Sequence, residues 1–382
     1  MLHFPRGACF GMSEAGSSSH AGHHILRTAI GFRGGRRIGD VPATCACSGK
    51  ECAARSSMKQ PMPSSPRRQP LPEHRPKPSN EDPEAPAKIK ALLASPAFRE
   101  ADRDSDFLRR DDMRSLRLML DYLKPQRLLT ERNVAHTIVV FGSTRIAEPQ
   151  AARRNREALT LALAAHPNDE ALSNRLAIAE RVEDKSHYYQ VARDFGRIVG
   201  ACGDKAIGGR IMVMTGGGPG IMEAANRGAQ DADAESVGLN ITLPHEQYPN
   251  PYVTPGLCFN FHYFAMRKLH FLLRARALVA FPGGYGTMDE LFEVLTLAQS
   301  RKIDPVPVIL VGEKYWRRAF DVDFLVSEGT IDAEDRELFW YAETAQDIWR
   351  DILLWYEMRG VPLLAPDAIE EICGPQDRTA RL

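Results

Sequence analysis

The sequence predicts an α/β fold: a doubly wound parallel sheet with helices on both faces and an added amino-terminal helix. Two observations predict it. Short continuous apolar runs alternate with stretches of helical periodicity, the pattern of strands buried on both faces. Several of these runs also stop directly at glycine-rich turns. In such sheets the ligand sits beyond the carboxyl ends of the strands, so the turns should converge.

At the amino terminus, residues 1–90 hold eleven of the 26 prolines and show no sustained periodicity. Segments such as 61–70 (PMPSSPRRQP) bury too little apolar surface to offset ordering, so this stretch reads as a disordered extension. Its first 57 residues are faintly like a transit peptide, without an amphipathic helix or a signal-peptide apolar region. An alternative start at Met58 or Met62 gives the same folded part. Residues 91–130 read as a helical segment packed on the core. Within it, 111–123 places Met113, Leu116, Leu120 and Leu123 on one helical face, and Pro125 predicts the end of that helix.

The main domain reads as 131–365, with a tail at 366–382. Strands are predicted at 137–141, 211–214, 237–243, 257–261, 277–281 and 306–311. Helices are predicted through 147–209, with a break at Pro167-Asn168-Asp169 and resumption from Leu172 to Gly200. Further helices are predicted at 221–231, 262–276 and 288–300.

Bulk composition excludes several classes. The 382 residues carry 49 basic and 49 acidic side chains, so nothing global indicates nucleic acid or a membrane surface. No run approaches the ~18 apolar residues of a bilayer span. Four of seven cysteines (Cys9, Cys45, Cys47, Cys52) precede the folded part, and Cys202, Cys258 and Cys373 are widely spaced. That is the usage of a reducing compartment and predicts a cytoplasmic protein. The C-x-C-x4-C of Cys45, Cys47 and Cys52 is not a standard zinc spacing, so no metal is expected.

Residues 277–290 (ALVAFPGGYGTMDE) are the most informative stretch. An apolar run stops at Gly283, Gly284 and Gly286, and a helical pattern then begins with Glu290 in its first turn. Free backbone N–H groups and the helix dipole make such a turn an anion site. The carboxylates beside it, Asp289 and Glu290, add nothing to a phosphate cradle and point to chemistry on the anion's organic end. A second reading stands beside this one. Thr287-Met288-Asp289-Glu290 has the T-x-x-E form of a capping box, with Thr287 as N-cap and Glu290 reaching back to its N–H.

The other glycine motif, Gly216 to Gly220, fails the dinucleotide fingerprint. G-x-G-x-x-G read from Gly216 puts Ile221 at the third glycine, and read from Gly218 it puts Glu223 there. No G-x-x-x-x-G-K-[ST] exists, which excludes a P-loop NTPase. Residues 215–226 therefore read either as a phosphate loop or as a turn that lets a helix pack close to the sheet. Arg267 and Lys268, at the start of the helix after 257–261, either reach the strand-end crevice or belong to a solvated face.

PGGYGTMDE at 282–290, MRK at 266–268 and TGGGPGIMEAANRGA at 215–229 together resemble the LOG ("lonely guy") family, whose older label is "possible lysine decarboxylase". The resemblance spans roughly residues 110–360, and PGGxGTxxE is highly specific. It implies a Rossmann-like fold, homodimers or higher homo-oligomers, and no cofactor. It implies hydrolysis of the N-glycosidic bond of a nucleoside 5′-monophosphate, AMP or a cytokinin nucleotide, to free base and ribose 5-phosphate. The catalytic pair it implies is Arg267 and Glu290. Substrate-binding positions are then Gly142, Ser143, Gly216, Gly217, Gly218, Glu223, Lys268, Gly283, Gly284, Tyr285, Gly286 and Thr287. Glu223 has helix capping as an equal alternative.

Where short plant-type members carry M-H-x-R-K, this chain has Phe264-Ala265-Met266-Arg267-Lys268. With the long insert at 147–209 and the amino-terminal helix, this points to the longer bacterial branch, where AMP nucleosidase is the usual label. Three rival classes are a non-hydrolytic nucleotide or molybdenum-cofactor carrier on the same fold, a pyridoxal-phosphate decarboxylase using Lys268, and a DNA-processing protein. Retention of Arg267 and Glu290 favours the hydrolase, and the balanced charge argues against DNA.

Overall fold

The structure is a computed structural model that describes residues 74–244 and 248–365. The expectations for 1–73, the Cys45–Cys47–Cys52 cluster and the tail at 366–382 lie outside the described residues. Residues 76–365 belong to one compact unit.

Its amino-terminal part holds α1 (Ala85–Leu93), α2 (Ser105–Arg109) and α3 (Arg114–Glu131). The sheet domain continues with β1 (His136–Phe141), α4 (Pro149–Ala165), α5 (Glu170–Lys185), α6 (His187–Cys202), β2 (Ile211–Thr215) and α7 (Ile221–Asp231). Next come β3 (Ser236–Ile241), β4 (Cys258–Phe261), α8 (Phe264–Leu273), β5 (Ala275–Ala280) and α9 (Tyr285–Gln299). The last elements are β6 (Val308–Val311), α10 (Glu313–Ala319), α11 (Val322–Ser327), β7 (Trp340–Ala342) and α12 (Ala345–Met358). The first six strands match the sequence reading within a few residues. β7, three residues long, has no alternation or apolar run long enough to mark it.

All strand pairings are parallel, in the order β4-β3-β2-β1-β5-β6-β7. The order reverses between β1 and β5, the switch point where such sheets bind ligands. One face is closed by α6, α7 and α12 through Tyr189, Phe195, Ile221 and Trp349. The other is closed by α3, α8, α9 and α10 through Leu129, Phe271, Leu291 and Trp316. The doubly wound α/β expectation is therefore met by the topology itself. Among the described residues no helix is long and apolar enough to cross a membrane.

Three local readings are corrected. Pro125 does not end α3, which runs on to Glu131 with the ring inside it. Pro125 is buried, and neighbouring carbonyls of α3 bond to α8 instead: His270 Nε2 lies 3.0 Å from the Tyr122 carbonyl. Arg274 adds bonds to the Gln126 and Thr130 side chains, so tertiary contacts outweigh the proline's cost. The apolar face of 111–123 points outward: Leu116, Leu120 and Leu123 are exposed. This part of α3 is tied instead to the segment leading into α8, with Asp121 Oδ2 accepting from His262 and Tyr263 N–H at 2.9 Å each. The single helix expected over 172–200 is two. Ser186 ends α5 because its hydroxyl donates to the Glu183 carbonyl at 2.6 Å, which competes with continuation.

Candidate active site

A cavity of about 740 Å³ opens at the carboxyl ends of β1, β2, β3 and β5. Among the sequence-selected residues, Gly142, Ser143, Gly216, Arg267, Gly283, Gly284, Tyr285, Gly286, Thr287 and Glu290 line it.

Its floor is the β5–α9 loop. Helix α9 begins at Tyr285, three residues before the expected start, with Gly284 as N-cap. Thr287 is thus inside the first turn and cannot cap it, and Glu290 lies in the second turn. The capping-box reading is overturned. The Thr287 and Met288 N–H groups both donate to the Gly284 carbonyl at 3.0 Å. The N–H groups of Tyr285 and Gly286 have no intrahelical acceptor, because they open the helix. They add to the positive helix terminus at the cavity floor. The space over Gly284 and Gly286 is open, whereas a Cβ on Gly283 would collide with the Thr287 hydroxyl. The loop is pinned from two sides. Ser143 N–H donates to the Pro282 carbonyl at 3.0 Å, and Tyr315 OH to the Gly283 carbonyl at 2.5 Å.

One wall is a buried ion pair. Arg267 Nη2 donates to Glu290 Oε1 at 3.0 Å, with side chains 14% and 5% exposed. The guanidinium lies 5.1 Å from the Phe264 ring and 5.5 Å from the Phe271 ring, a contact that suits its flat cation. Arg267 Nε is buried with no partner among the described residues. Burial pushes the Glu290 carboxyl above the ordinary carboxylate range; Arg267 and Lys268 oppose this without cancelling it.

Four sequence-selected residues lie elsewhere. Lys268 bonds Asp289 at 2.7 Å and Glu293 at 3.4 Å, in a separate groove beside the highly exposed Tyr285. Burial alone would lower the Lys268 pKa, yet Asp289, Glu293 and Glu290 raise it above its ordinary value, so its ammonium is firmly held. Glu223 accepts from Tyr189 OH at 2.8 Å, outside the cavity. Gly217 and Gly218 build a turn. Gly217 has φ +69°, its N–H donates to Thr215 Oγ1 at 2.9 Å, and Asn250 binds both carbonyls. Beneath it, buried Asn226 accepts from Thr215 Oγ1 at 2.7 Å and Asn250 Nδ2 at 3.0 Å, and donates to Ser236 Oγ at 3.0 Å. The packing-turn reading of this glycine motif thus describes Gly217 and Gly218, and only Gly216 faces the cavity.

The cavity also contains residues that sequence reasoning passed over. Met222, Leu243 and Phe264 supply apolar surface, and Arg145, Arg181 and Lys185 supply charge. Arg145 comes directly after the first strand's glycine turn, which was a usable signal. Arg181 and Lys185 stand one helical turn apart on α5, like any solvated pair, and carried none.

A family model described as "Possible lysine decarboxylase" matches residues 222–352, a span that contains Arg267 and Glu290. Over 168 residues the chain is 29% identical to the cytokinin riboside 5′-monophosphate phosphoribohydrolase LOG3 of Arabidopsis thaliana, covering 43% of this chain and 74% of that protein. Over 140 residues it is 31% identical to the probable cytokinin riboside 5′-monophosphate phosphoribohydrolase LOGL5 of Oryza sativa subsp. japonica, covering 36% and 56%. Among solved structures, the molybdenum cofactor binding protein of Rippkaea orientalis aligns at 19% identity over 43% of this chain and 85% of that one, with a TM-score of 0.30. At that distance the superposition carries no functional argument.

Proposed function

We propose that this chain, a relative of the LOG family, hydrolyses the N-glycosidic bond of a nucleoside 5′-monophosphate, AMP or a cytokinin nucleotide. The observation that carries the reading is the buried Arg267–Glu290 pair standing in one cavity with the backbone cradle of Gly283 to Thr287.

The 5′-phosphate sits on the start of α9, against the Tyr285 and Gly286 N–H groups. Glu290 then lies toward the ribose. As the C1′–N bond lengthens, its electron pair leaves with the base and positive charge grows on the sugar. The carboxylate offsets that charge and takes a proton from the attacking water, whose oxygen bonds C1′. The proton balances on the departing base nitrogen, giving free base and ribose 5-phosphate. Arg267 keeps Glu290 ionised in a site whose burial favours the neutral acid. The raised pKa brings the carboxylate's basicity nearer to neutrality, as general-base work needs. Met222, Leu243 and Phe264 offer the apolar surface a base would cover.

The position of Lys268 argues against Schiff-base decarboxylation, which needs a neutral amine facing the ligand. Its ammonium is held by two carboxylates outside the cavity. The test is to incubate purified protein with AMP, other 5′-monophosphates and a cytokinin monophosphate and monitor free base by chromatography. Release of base supports the reading. AMP binding without release of adenine overturns it in favour of a carrier.

A further inference from the structure

The cavity holds more positive charge than a single phosphate uses. Arg267 is spent on Glu290. Three further cations, Arg145, Arg181 and Lys185, line the same cavity, and none forms an ion pair among the described residues. Of the acidic residues beside them on α5, Glu183 is engaged by Arg156 at 2.6 Å and Arg153 at 3.5 Å, and Glu180 and Asp184 do not line the cavity; the Lys185 ammonium donates to the Arg181 carbonyl at 2.9 Å, which leaves its charge unneutralised. A phosphate monoester carries about −1.5 to −2 near pH 7. The α9 terminus contributes about +0.5 and the three cations +3. A monophosphate therefore leaves more than one positive charge unmatched, and a second phosphate removes most of that excess.

The placement agrees with the charge. Arg267, Glu290 and Phe264 belong to α8 and α9, which close one face of the sheet. Arg181 and Lys185 belong to α5, which packs on α6 over the opposite face. The cradle sits at the crest between them, and the turn bearing Arg145 is joined to it through the Ser143–Pro282 hydrogen bond. A ligand with its ribose at Glu290 and its first phosphate on the cradle extends its next phosphate toward α5.

We infer that the cavity takes a nucleoside 5′-diphosphate, with Arg181, Lys185 and Arg145 binding the second phosphate. This diphosphate site rests on the hydrolytic reading only for the step after binding, in which base release from ADP leaves ribose 5-diphosphate. Titration calorimetry tests it, with AMP, ADP, phosphate and pyrophosphate as probes on the full chain and on the double variant Arg181→Gln/Lys185→Gln. In the unmodified protein ADP binds at least tenfold tighter than AMP, and pyrophosphate displaces AMP better than phosphate does. In the double variant the ratio of ADP to AMP affinity falls at least tenfold. Arg145→Gln, on a different element, lowers the ratio in the same direction should the double variant not fold. Equal ADP and AMP affinity in the unmodified protein, or a ratio that survives the substitutions, overturns the inference. Adenine release from AMP with no diphosphate preference leaves the hydrolytic reading standing and removes this one. An α5-dependent diphosphate preference with no base release does the reverse.

Discussion

Glu290→Gln separates the catalytic role proposed for this carboxylate from its structural one. At 3.0 Å and with side chains 5% and 14% exposed, the Glu290–Arg267 pair is largely shielded from water. With an effective dielectric near 20, the attraction is about 5 kcal/mol. That gain is set against the cost of holding a carboxylate out of water, several kcal/mol by itself. Burial outweighs the attraction in the carboxyl's pKa, which lies above the ordinary range. Glutamine keeps the shape and one acceptor for Arg267 but leaves the guanidinium, 14% exposed, without its counter-charge, and breaking a buried pair from one side costs about 3–5 kcal/mol. Stability should therefore fall by about 3 kcal/mol, read as a Tm shift of roughly 5–10 °C by circular dichroism. The reaction loses a general base and an anion facing the oxocarbenium-like sugar, roughly 10²–10⁴ in kcat. The assay is adenine release from AMP at saturating substrate, with Tm recorded on the same preparation. A variant that is folded at the assay temperature and stays within tenfold in kcat, a barrier change of about 1.4 kcal/mol, refutes the role. A Tm loss of that size with kcat unchanged would show instead that the ion pair is chiefly structural.

Two other outcomes are expected. If ionised Glu290 is required, kcat/KM rises with pH through the carboxyl's pKa, so the acid limb lies above the ordinary 4.5. Lys268→Met removes a cation that favours the ionised form, so the limb moves to still higher pH; a limb at or below 4.5, or one moving down, contradicts this. Asn226→Ala deprives Thr215, Ser236 and Asn250 of a shared buried partner, at about 3 kcal/mol in all. Thermal unfolding should shift down by roughly 5–10 °C, and a shift under about 2 °C would mean the groups find other partners.

Much of the fold was legible because parallel strands covered on both faces must be continuously apolar. Ile138 to Phe141, Ile211 to Met214 and Ala277 to Phe281 are buried throughout and could be read as strands without knowing their order. The turn at Gly283 and the partnership of Arg267 with Glu290 were legible as motif and resemblance. The start of α9 was not, because Tyr285-Gly286 looks like a turn from composition and becomes helical only when Gly283 and Thr287 pack together. Pro125 misled for the same kind of reason, since the carbonyl partners that sustain α3 come from α8, far along the chain. The cavity's charged wall was hidden most completely. Arg181 and Lys185 differ from an ordinary solvated pair only in the surfaces the chain folds opposite them.

The hairpin of α4 and α5 has one more consequence. Of its two long helices, only Ala152, Leu159 and Ala179 are buried. The face of the sheet is closed by α6, the next helix, and the crossover from β1 to β2 needs no other helix to cover it. The hairpin is therefore surplus to the architecture yet forms a wall of the cavity. Doubling a connection of this kind costs only about 0.6 kcal/mol in closure entropy. Its length and charge can vary over generations, or be rewritten by design, while the floor that holds Glu290 and the cradle stays as it is. On the proposed reading, ligand range and reaction thus lie on separable parts of one chain.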